Sequence, residues 1–287
     1  MGTPEVAQRA EQATPPLAHH AEGPVWWPDG SGLRWVDMLA GDILSMDAVG
    51  RVQRRNVGTV AAALRPRRTG GFVVGVERGF ALVDEAGELH TLPEVWSDSS
   101  VRMNEGCCDP QGRFYCGSMA YDKSTGRGTV YRLDSDTSVT EVFGGVTISN
   151  GLAWTADGTL AYYNDTPTQR VDVFSYDPDR GLHERRTLVQ IPQQQGAPDG
   201  LTVDADGHIW VALYGGSAVH RYRPDGVLDG VVEVPVSQVT ACTLGGPRMD
   251  ELYITTSAED NAPEPDAGSV FRSSVGVTGL PASTFAG

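Results

Sequence analysis

Basic residues are scarce in this sequence, where 22 lysines and arginines stand against 37 aspartates and glutamates and leave a net charge of −15. Binding to nucleic acid or to an anionic membrane surface depends on clustered lysine and arginine side chains. The charge balance therefore predicts that neither is a partner of this protein. Its simplest physical consequence is that the protein stays soluble.

Long apolar runs are absent as well. No stretch approaches the roughly 18 consecutive apolar residues of a membrane-spanning helix. Residues 1–16 also lack the basic-then-apolar pattern of a secretory signal, and their polarity predicts a mobile N-terminal arm ahead of the fold. The four cysteines show neither zinc-knuckle nor Cys-x-x-Cys spacing. Free thiols in a cytoplasmic protein are the simplest interpretation.

Three widespread catalytic motifs are also missing. The chain contains no Gly-x-Ser-x-Gly elbow, no phosphate-binding loop and no Gly-x-Gly-x-x-Gly fingerprint. These motifs place a nucleophile or a helix N-terminus against a substrate or a phosphate group. Serine-hydrolase, nucleotide and dinucleotide chemistry therefore have no support in the sequence.

What the sequence does contain is a repeated pattern of short strands. Glycine and proline are frequent, with 35 and 18 residues, and apolar residues alternate with polar ones at the period of a β-strand. Six units with a strand, a turn and a second strand follow one another at residues 32–46, 71–83, 112–133, 159–176, 208–222 and 251–272. No segment has convincing helical periodicity.

Repeats of roughly 40 to 50 residues are typical of propellers and solenoids. We therefore predict an all-β fold, a six-bladed β-propeller with four-stranded antiparallel blades, as one domain over residues 17–287. A strand between Gln12 and His19 is expected to close the ring by joining the last blade. A β-sandwich is the competing architecture, but it does not explain six matched units.

Four oxygen-bearing side chains occupy one register of the repeat. Each lies eight residues before the glycine of a turn: Glu22 before Gly30, Asn104 before Gly112, Asn150 before Gly158 and Asp199 before Gly207. In the two other units the same register falls near Ala62 and Thr240. We call these six positions the anchor positions. Equivalent positions of a radially repeated fold face one axis, so two carboxylates and two amides are expected to converge there.

Carboxylate and amide oxygens suit a hard cation such as Ca²⁺, Mg²⁺ or Mn²⁺, whereas Zn²⁺ prefers histidine or cysteine. Ordinary hairpin turns are the alternative for Asn150-Gly151 and Asp199-Gly200. Glu22 is a poor left-handed turn residue, and the shared register also weakens the turn alternative. The pattern alone leaves a shared metal site and separate turns both open.

Two further residues stand beside the anchors. Arg102 lies two residues before Asn104, where a guanidinium could hold a substrate oxygen. The alternative is a surface arginine without a functional role. His20 lies two residues before Glu22 and could line the same site, although strand packing or surface exposure is the commoner role of a histidine.

With these residues the chain resembles the gluconolactonase family, which includes senescence marker protein (regucalcin) and luciferin-regenerating enzyme. The resemblance runs from about residue 21 to residue 281. It is carried by the ordered motifs Ala21-Glu22-Gly23-Pro24-Val25-Trp26, Glu77-Arg78-Gly79-Phe80, Arg102-Met103-Asn104-Glu105-Gly106, Gly117-Ser118-Met119, Ser149-Asn150-Gly151-Leu152-Ala153, Pro198-Asp199-Gly200-Leu201-Thr202-Val203-Asp204, Cys242-Thr243-Leu244-Gly245-Gly246-Pro247 and Gly276-Val277-Thr278-Gly279-Leu280-Pro281. So many short motifs in one order make the match specific.

The resemblance implies a six-bladed propeller with one catalytic divalent cation. The family's metal-binding residues fall on Glu22, Asn150 and Asp199. Its substrate-binding arginine and asparagine fall on Arg102 and Asn104.

Two positions depart from the pattern of relatives. An acid that contacts sugar hydroxyls in some members falls on Asp122, where those members carry glutamate. Glu105 stands where many relatives have aspartate. The shorter side chain of Asp122 leaves the preferred sugar open.

The reaction that the resemblance implies is hydrolysis of a sugar lactone to its aldonic acid. The cation would polarise the carbonyl, and Asp199 would accept a proton from water. Ca²⁺ is the first candidate, with Zn²⁺, Mn²⁺, Mg²⁺ or Fe²⁺ as alternatives, and the protein is expected to be a monomer. Aryl-ester or phosphotriester hydrolysis, and calcium or protein binding without catalysis, are the alternative functions.

Overall fold

The computed structural model describes residues 8–259 and 264–287, which form a closed ring of six β-sheets. The prediction of an all-β, six-bladed propeller with four-stranded antiparallel blades is confirmed. Helix in these ranges is limited to the short 3₁₀ turns Met38–Ala40, Thr166–Thr168 and Gln193–Gln195. None of the described helices has the length and apolar content that crossing a membrane requires.

The first three blades follow two short strands, β1 (Gln8–Arg9) and β2 (Glu11–Gln12). Blade 1 contains β3 (Ala21–Trp26), β4 (Leu33–Asp37), β5 (Asp42–Met46) and β6 (Val52–Asn56). Blade 2 contains β7 (Ala61–Pro66), β8 (Phe72–Val76), β9 (Gly79–Val83) and β10 (Leu89–Thr91). Blade 3 contains β11 (Val101–Cys108), β12 (Phe114–Ala120), β13 (Gly128–Leu133) and β14 (Val139–Val146).

The last three blades complete the ring. Blade 4 contains β15 (Ser149–Trp154), β16 (Leu160–Asp165), β17 (Arg170–Asp177) and β18 (Gly181–Gln190). Blade 5 contains β19 (Ala197–Val203), β20 (Ile209–Tyr214), β21 (Ala218–Tyr222) and β22 (Leu228–Glu233). Blade 6 contains β23 (Val239–Gly245), β24 (Glu251–Thr256) and β25 (Val270–Ser274). The first strands of neighbouring blades contact one another around the axis.

Blade 6 takes its outermost strand from the other end of the chain. β2 pairs antiparallel with β25, with Glu11 opposite Arg272, and β1 pairs in parallel with β22. The ring is thus closed by residues 11–12, slightly before the stretch where the closing strand was expected. The mobile arm predicted over residues 1–16 does not extend through residues 8–12, because strands there use their backbone groups in sheet pairing. Residues 1–7 of that arm lie outside the described residues.

Aromatic side chains pack between adjacent blades. Phe80 of blade 2 meets Phe114 of blade 3 edge to face, with 5.9 Å between ring centroids. Trp26 of blade 1 stacks on Tyr253 of blade 6 at 5.5 Å. Such pairs contribute about 0.5–1.5 kcal/mol beyond the burial of their surface. The ring is therefore held by side-chain packing between blades as well as by hydrogen bonds within them.

Each innermost strand carries an irregularity at its anchor position. Its pairing with the second strand of the blade shifts between residues 22 and 25, 61 and 64, 103 and 106, 149 and 152, 198 and 201, and 239 and 241. A β-bulge leaves a residue out of the ladder and re-aims its side chain. Asn104, Asn150 and Asp199 are left out of the ladder at these bulges, whereas Glu22 pairs with Val36 directly before the bulge of its strand.

The glycines that follow two anchors allow the innermost strands to approach closely. A Cβ on Gly151 would lie 2.6 Å from the backbone nitrogen of Leu201, and one on Gly200 would lie 2.4 Å from Cβ of Ala241. Both glycines lie within β15 and β19 rather than between strands. The alternative that these dipeptides are hairpin turns is therefore wrong.

The C-terminal segment crosses one face of the ring. Gly279 pairs with Asp204 beside blade 5, and Phe285 donates its N–H to the carbonyl of Pro66 in blade 2 at 2.8 Å. The ring of Phe285 is fully buried in the apolar cluster that contains Phe72. The segment thus connects distant parts of the ring.

We expect Phe285→Ala to lower the free energy of unfolding by about 3–5 kcal/mol, because it removes a buried aromatic ring and leaves a cavity. Val49→Ala is the control, since Val49 is 75% exposed and should change stability by less than about 0.5 kcal/mol. Urea unfolding followed by tryptophan fluorescence measures both. Equal midpoints for the two variants would contradict the role assigned to the C-terminal segment.

Candidate metal centre

The four polar anchors line one cavity at an end of the axis. The side chains of Glu22, Asn104, Asn150 and Asp199 are buried, and their residues are 2–4% exposed. Together with Arg102 they line a cavity of about 70 Å³. The structure therefore brings five sequence-predicted site residues together, although they come from blades 1, 3, 4 and 5.

Two anchor oxygens have no hydrogen-bond partner among the residues that the structure describes. Asn150 donates from Nδ2 to Oγ1 of Thr166 at 3.0 Å, and its Oδ1 is buried without a donor. Oδ1 of Asp199 is buried without a donor as well. An unpaired buried oxygen is costly unless a ligand satisfies it. A hard cation bound by oxygen would satisfy both atoms, so the residues present fit a divalent metal.

The charges of the cavity also fit a cation. Burial raises the pKa of the Glu22 carboxyl well above its usual value, and the nearby charges of Asp199 and Glu105 raise it further. Burial and then Glu105 likewise raise the pKa of Asp199. The N–H of Gly23 donates to Oε2 of Glu22 at 3.0 Å but offsets only part of this effect. A bound divalent cation would supply the opposite charge that these carboxylates lack.

Asn104 differs from the other anchors. Its Oδ1 accepts a hydrogen bond from Nη1 of Arg102 at 2.7 Å, and its Nδ2 donates to the carbonyl of Ser149 at 2.9 Å. Arg102 also donates to the carbonyl of Met103 at 2.9 Å and is buried. The amide oxygen of Asn104 is therefore occupied, and Arg102 and Asn104 form a rigid pair beside the three other anchors.

Asp122 does not reach this cavity. Its side chain is exposed, and Oδ1 accepts the N–H of Ser124 at 3.0 Å in a local turn. The next residue, Lys123, lines the cavity instead. Lys123 has a left-handed backbone with φ of 58°, which reverses the chain after β12 and separates the directions of the two side chains.

His20 lies at the cavity, where its sequence position had suggested. Nδ1 of His20 lies 2.8 Å from Oγ of Ser257 and 3.4 Å from a carboxylate oxygen of Glu259. Burial lowers the pKa of His20 to about 3, and the positive charge of Arg102 lowers it further. The imidazole is therefore neutral across the physiological range.

Sequence reasoning missed several other residues that line the cavity: Met119, Lys123, Ile148, Thr166, Tyr214 and Glu259. They come from loops and strand ends that only the closed ring places beside the anchors. The one local signal is sequence proximity, since Ile148 lies two residues before the anchor Asn150.

Glu105 lies deeper along the axis than its neighbour Asn104. It is buried, and its Oε1 accepts the N–H of Gly106 at 2.8 Å. Burial raises the pKa of its carboxyl, while the charge of Arg65 lowers it in part. Glu105 and Arg65 line a small cavity of about 20 Å³ in the middle of the ring. A larger cavity of about 270 Å³ opens beyond it but contains no anchor, so the smaller anchor cavity is the candidate for metal chemistry.

The fold and the site define a class, the six-bladed propellers with acidic and amide oxygens at one end of the axis. The family described as SMP-30/Gluconolactonase/LRE-like region matches residues 20–258. The chain belongs to this family. The matched range contains every anchor position.

Relatives of known sequence and structure are similar along nearly the whole chain. The pentonolactonase XacC of Haloferax volcanii is 37% identical over 271 residues, which cover 91% of this chain and 92% of the relative. Regucalcin of Danio rerio is 34% identical over 278 residues, with 93% and 94% covered. The solved structure of a calcium-binding protein, regucalcin, from Agrobacterium tumefaciens has a TM-score of 0.90 at 28% identity and covers 97% of both chains.

We expect Asp199→Asn to stabilise the metal-free protein at neutral pH. The raised pKa of Asp199 means that stability from this group is present in acid and is lost as pH rises from the unfolded value through the folded one. Removing the charge should raise the free energy of unfolding by about 1 kcal/mol or more near pH 7.5 and by less near pH 4.5.

The matched control is Asp206→Asn, which removes the same charge from an exposed position in the same blade. Thermal unfolding of chelator-treated protein at the two pH values measures the effect. A loss of stability at neutral pH in Asp199→Asn, or an equal change in both variants, would contradict the electrostatic account.

Proposed function

We propose that the protein hydrolyses a sugar lactone, such as an aldonolactone with five or six carbons, in a reaction that depends on one divalent cation. The observation that carries this proposal is the pair of unpartnered oxygens, Asn150 Oδ1 and Asp199 Oδ1, in residues that line one cavity with Arg102 and Asn104. The names of relatives, among them a pentonolactonase and a putative sugar lactone lactonase, support the substrate class.

Glu22, Asn150 and Asp199 are the residues that would hold the cation. A bound divalent cation would polarise the lactone carbonyl and favour negative charge on its oxygen. Oxygen donors from three residues favour Ca²⁺, with Zn²⁺, Mn²⁺, Mg²⁺ or Fe²⁺ as alternatives. Calcium agrees with the description of the Agrobacterium tumefaciens regucalcin as a calcium-binding protein.

Asp199 is the proposed general base. A carboxylate has two oxygens, so one can ligate while the other accepts a proton from the attacking water. Attack forms a new carbon–oxygen bond at the carbonyl carbon, the ring ester bond breaks, and the ring oxygen leaves as a hydroxyl after it gains a proton. The product is the open-chain aldonic acid.

Arg102 and Asn104 would position the sugar. The Nη1 contact with Asn104 and the contact with the Met103 carbonyl hold the guanidinium in one orientation. A fixed donor can orient lactone hydroxyls or the ester oxygen and reduce the entropy lost in reaching the transition state. His20, neutral and held by Ser257, lies near enough to provide a further hydrogen bond. All these groups belong to one chain, so a monomer is sufficient for the proposed activity.

The test follows acid release from a panel of five- and six-carbon aldonolactones with a pH indicator. Chelator-treated protein should not exceed the spontaneous rate, and adding back one of the five ions should restore activity. Glu22→Gln and Asp199→Asn should each lower kcat/KM by about 10³-fold or more, whereas Asp206→Asn should not.

Activity that survives in Glu22→Gln or Asp199→Asn would refute the assigned centre. If kcat/KM is higher for a phosphotriester or an aryl ester than for any lactone, that compound class replaces sugar lactones as the proposed substrate. Metal binding without turnover of any of these compounds would identify a calcium-binding protein without catalysis.

Arg102→Met separates substrate positioning from metal binding. We expect KM for the preferred lactone to rise about 10-fold or more, because a charged donor is lost. Metal affinity, measured by calorimetry, should change less than threefold. Thermal unfolding provides the control for folding, and an unchanged KM would contradict the role of Arg102.

A further inference from the structure

A second cavity lies at the end of the axis opposite the anchors. Its volume is about 270 Å³, and the later residues of all six innermost strands contribute to its wall. Trp26, Trp154 and Leu244 supply apolar surface, and the C-terminal segment adds residues 280–283. A cavity of this size has room for a molecule of about ten non-hydrogen atoms, since one liquid water occupies about 30 Å³.

Arg65 is the one charged residue among those that line this cavity. None of the aspartates and glutamates in the described ranges lines it, although the chain as a whole carries a net charge of −15. The charged group that this cavity presents is therefore a cation, although the protein as a whole is acidic. The charge of Arg65 attracts an anion that enters the cavity. The acidic surface of the protein repels anions that carry several charges more strongly than those that carry one.

The guanidinium of Arg65 lacks an ion-pair partner within the described residues. Its Nη1 donates to the carbonyl of Leu64 at 2.6 Å, and the guanidinium also forms a hydrogen bond with the side chain of Cys107. Glu105 attracts it from the direction of the anchors, across the 20 Å³ cavity that both residues line. Buried charges are normally paired or hydrogen-bonded. Arginine has five N–H donors, so those that Leu64 and Cys107 do not use are left for an anionic ligand in the cavity.

Trp154 gives a second, independent indication that the cavity binds a ligand. Its ring lines the cavity, and its Nε1 is buried without a hydrogen-bond partner in residues 8–259 and 264–287. A buried indole N–H usually finds an acceptor. One cavity thus combines an unpaired cation, an unpartnered donor and apolar walls.

We propose that this cavity binds a small organic carboxylate with an apolar body, held by the guanidinium of Arg65. A planar carboxylate can accept two parallel hydrogen bonds from arginine, while the two tryptophans and Leu244 cover the apolar part. This ligand is chemically distinct from a neutral, hydroxyl-rich lactone, and the site requires no metal.

Benzoate, benzamide and acetate test the proposal on chelator-treated, full-length protein. Benzamide has the shape of benzoate without the charge, and acetate has the charge without the ring. Isothermal calorimetry should give a Kd for benzoate at least about 10-fold below the values for both other compounds. Equal Kd values for benzoate and benzamide, or no benzoate binding at about 10 mM, would overturn the proposal. Removing metal beforehand excludes carboxylate binding at the anchor cation.

Variants assign the binding to this cavity. Arg65→Gln should raise the Kd of benzoate to that of benzamide, whereas Arg51→Gln, at a side chain that is 81% exposed, should leave it unchanged. Ala153→Phe keeps Arg65 and fills the cavity from β15, so it should weaken benzoate and benzamide alike. It carries the test if Arg65→Gln does not fold, as judged by circular dichroism. Unchanged benzoate binding in Ala153→Phe would overturn the location.

Discussion

The candidate metal centre depends on one backbone constraint, a β-bulge that recurs near the anchor position of all six innermost strands. A regular strand would alternate its side chains between the two faces of the blade, and both faces are covered by neighbouring blades. The bulge releases Asn104, Asn150 and Asp199 from this alternation, and Glu22 lies directly before the bulge of its strand. Gly151 and Gly200 let the strands approach so closely that the four anchor side chains share one small cavity.

The same arrangement brings several carboxyl groups together in the interior of the fold. Glu22, Glu105 and Asp199 are buried near one another, and burial raises the pKa of each carboxyl. Buried, incompletely paired carboxylates destabilise a folded protein. Packing between blades and the pairing of both chain ends with the ring offset this cost. A functional centre commonly lowers the stability of the fold in this way, so that removing its charge stabilises the protein but abolishes activity.

Much of the architecture could be predicted from local pattern because each blade repeats the same strands and turns. The anchors Glu22, Asn150 and Asp199 stood out through their shared distance to a turn glycine. Other features could not be found in this way. Strands of two residues, such as Gln8–Arg9, have no periodicity to detect. The orientation of the Asp122 side chain depends on the hydrogen bond that it accepts from the N–H of Ser124 and on the left-handed backbone of Lys123.

The sequence by itself determined the all-β class, the number of blades and the residue types available for a cation, because strand alternation and repeat spacing are local properties. The tertiary structure decided which of those residues meet. It separated Asn104, whose oxygen is bonded to Arg102, from Asn150, whose oxygen is unpartnered. It also made Arg65 the one charged residue among the described residues that line the cavity at the opposite end of the axis. These outcomes depend on contacts between blades that are distant in sequence, and only the closed ring specifies them.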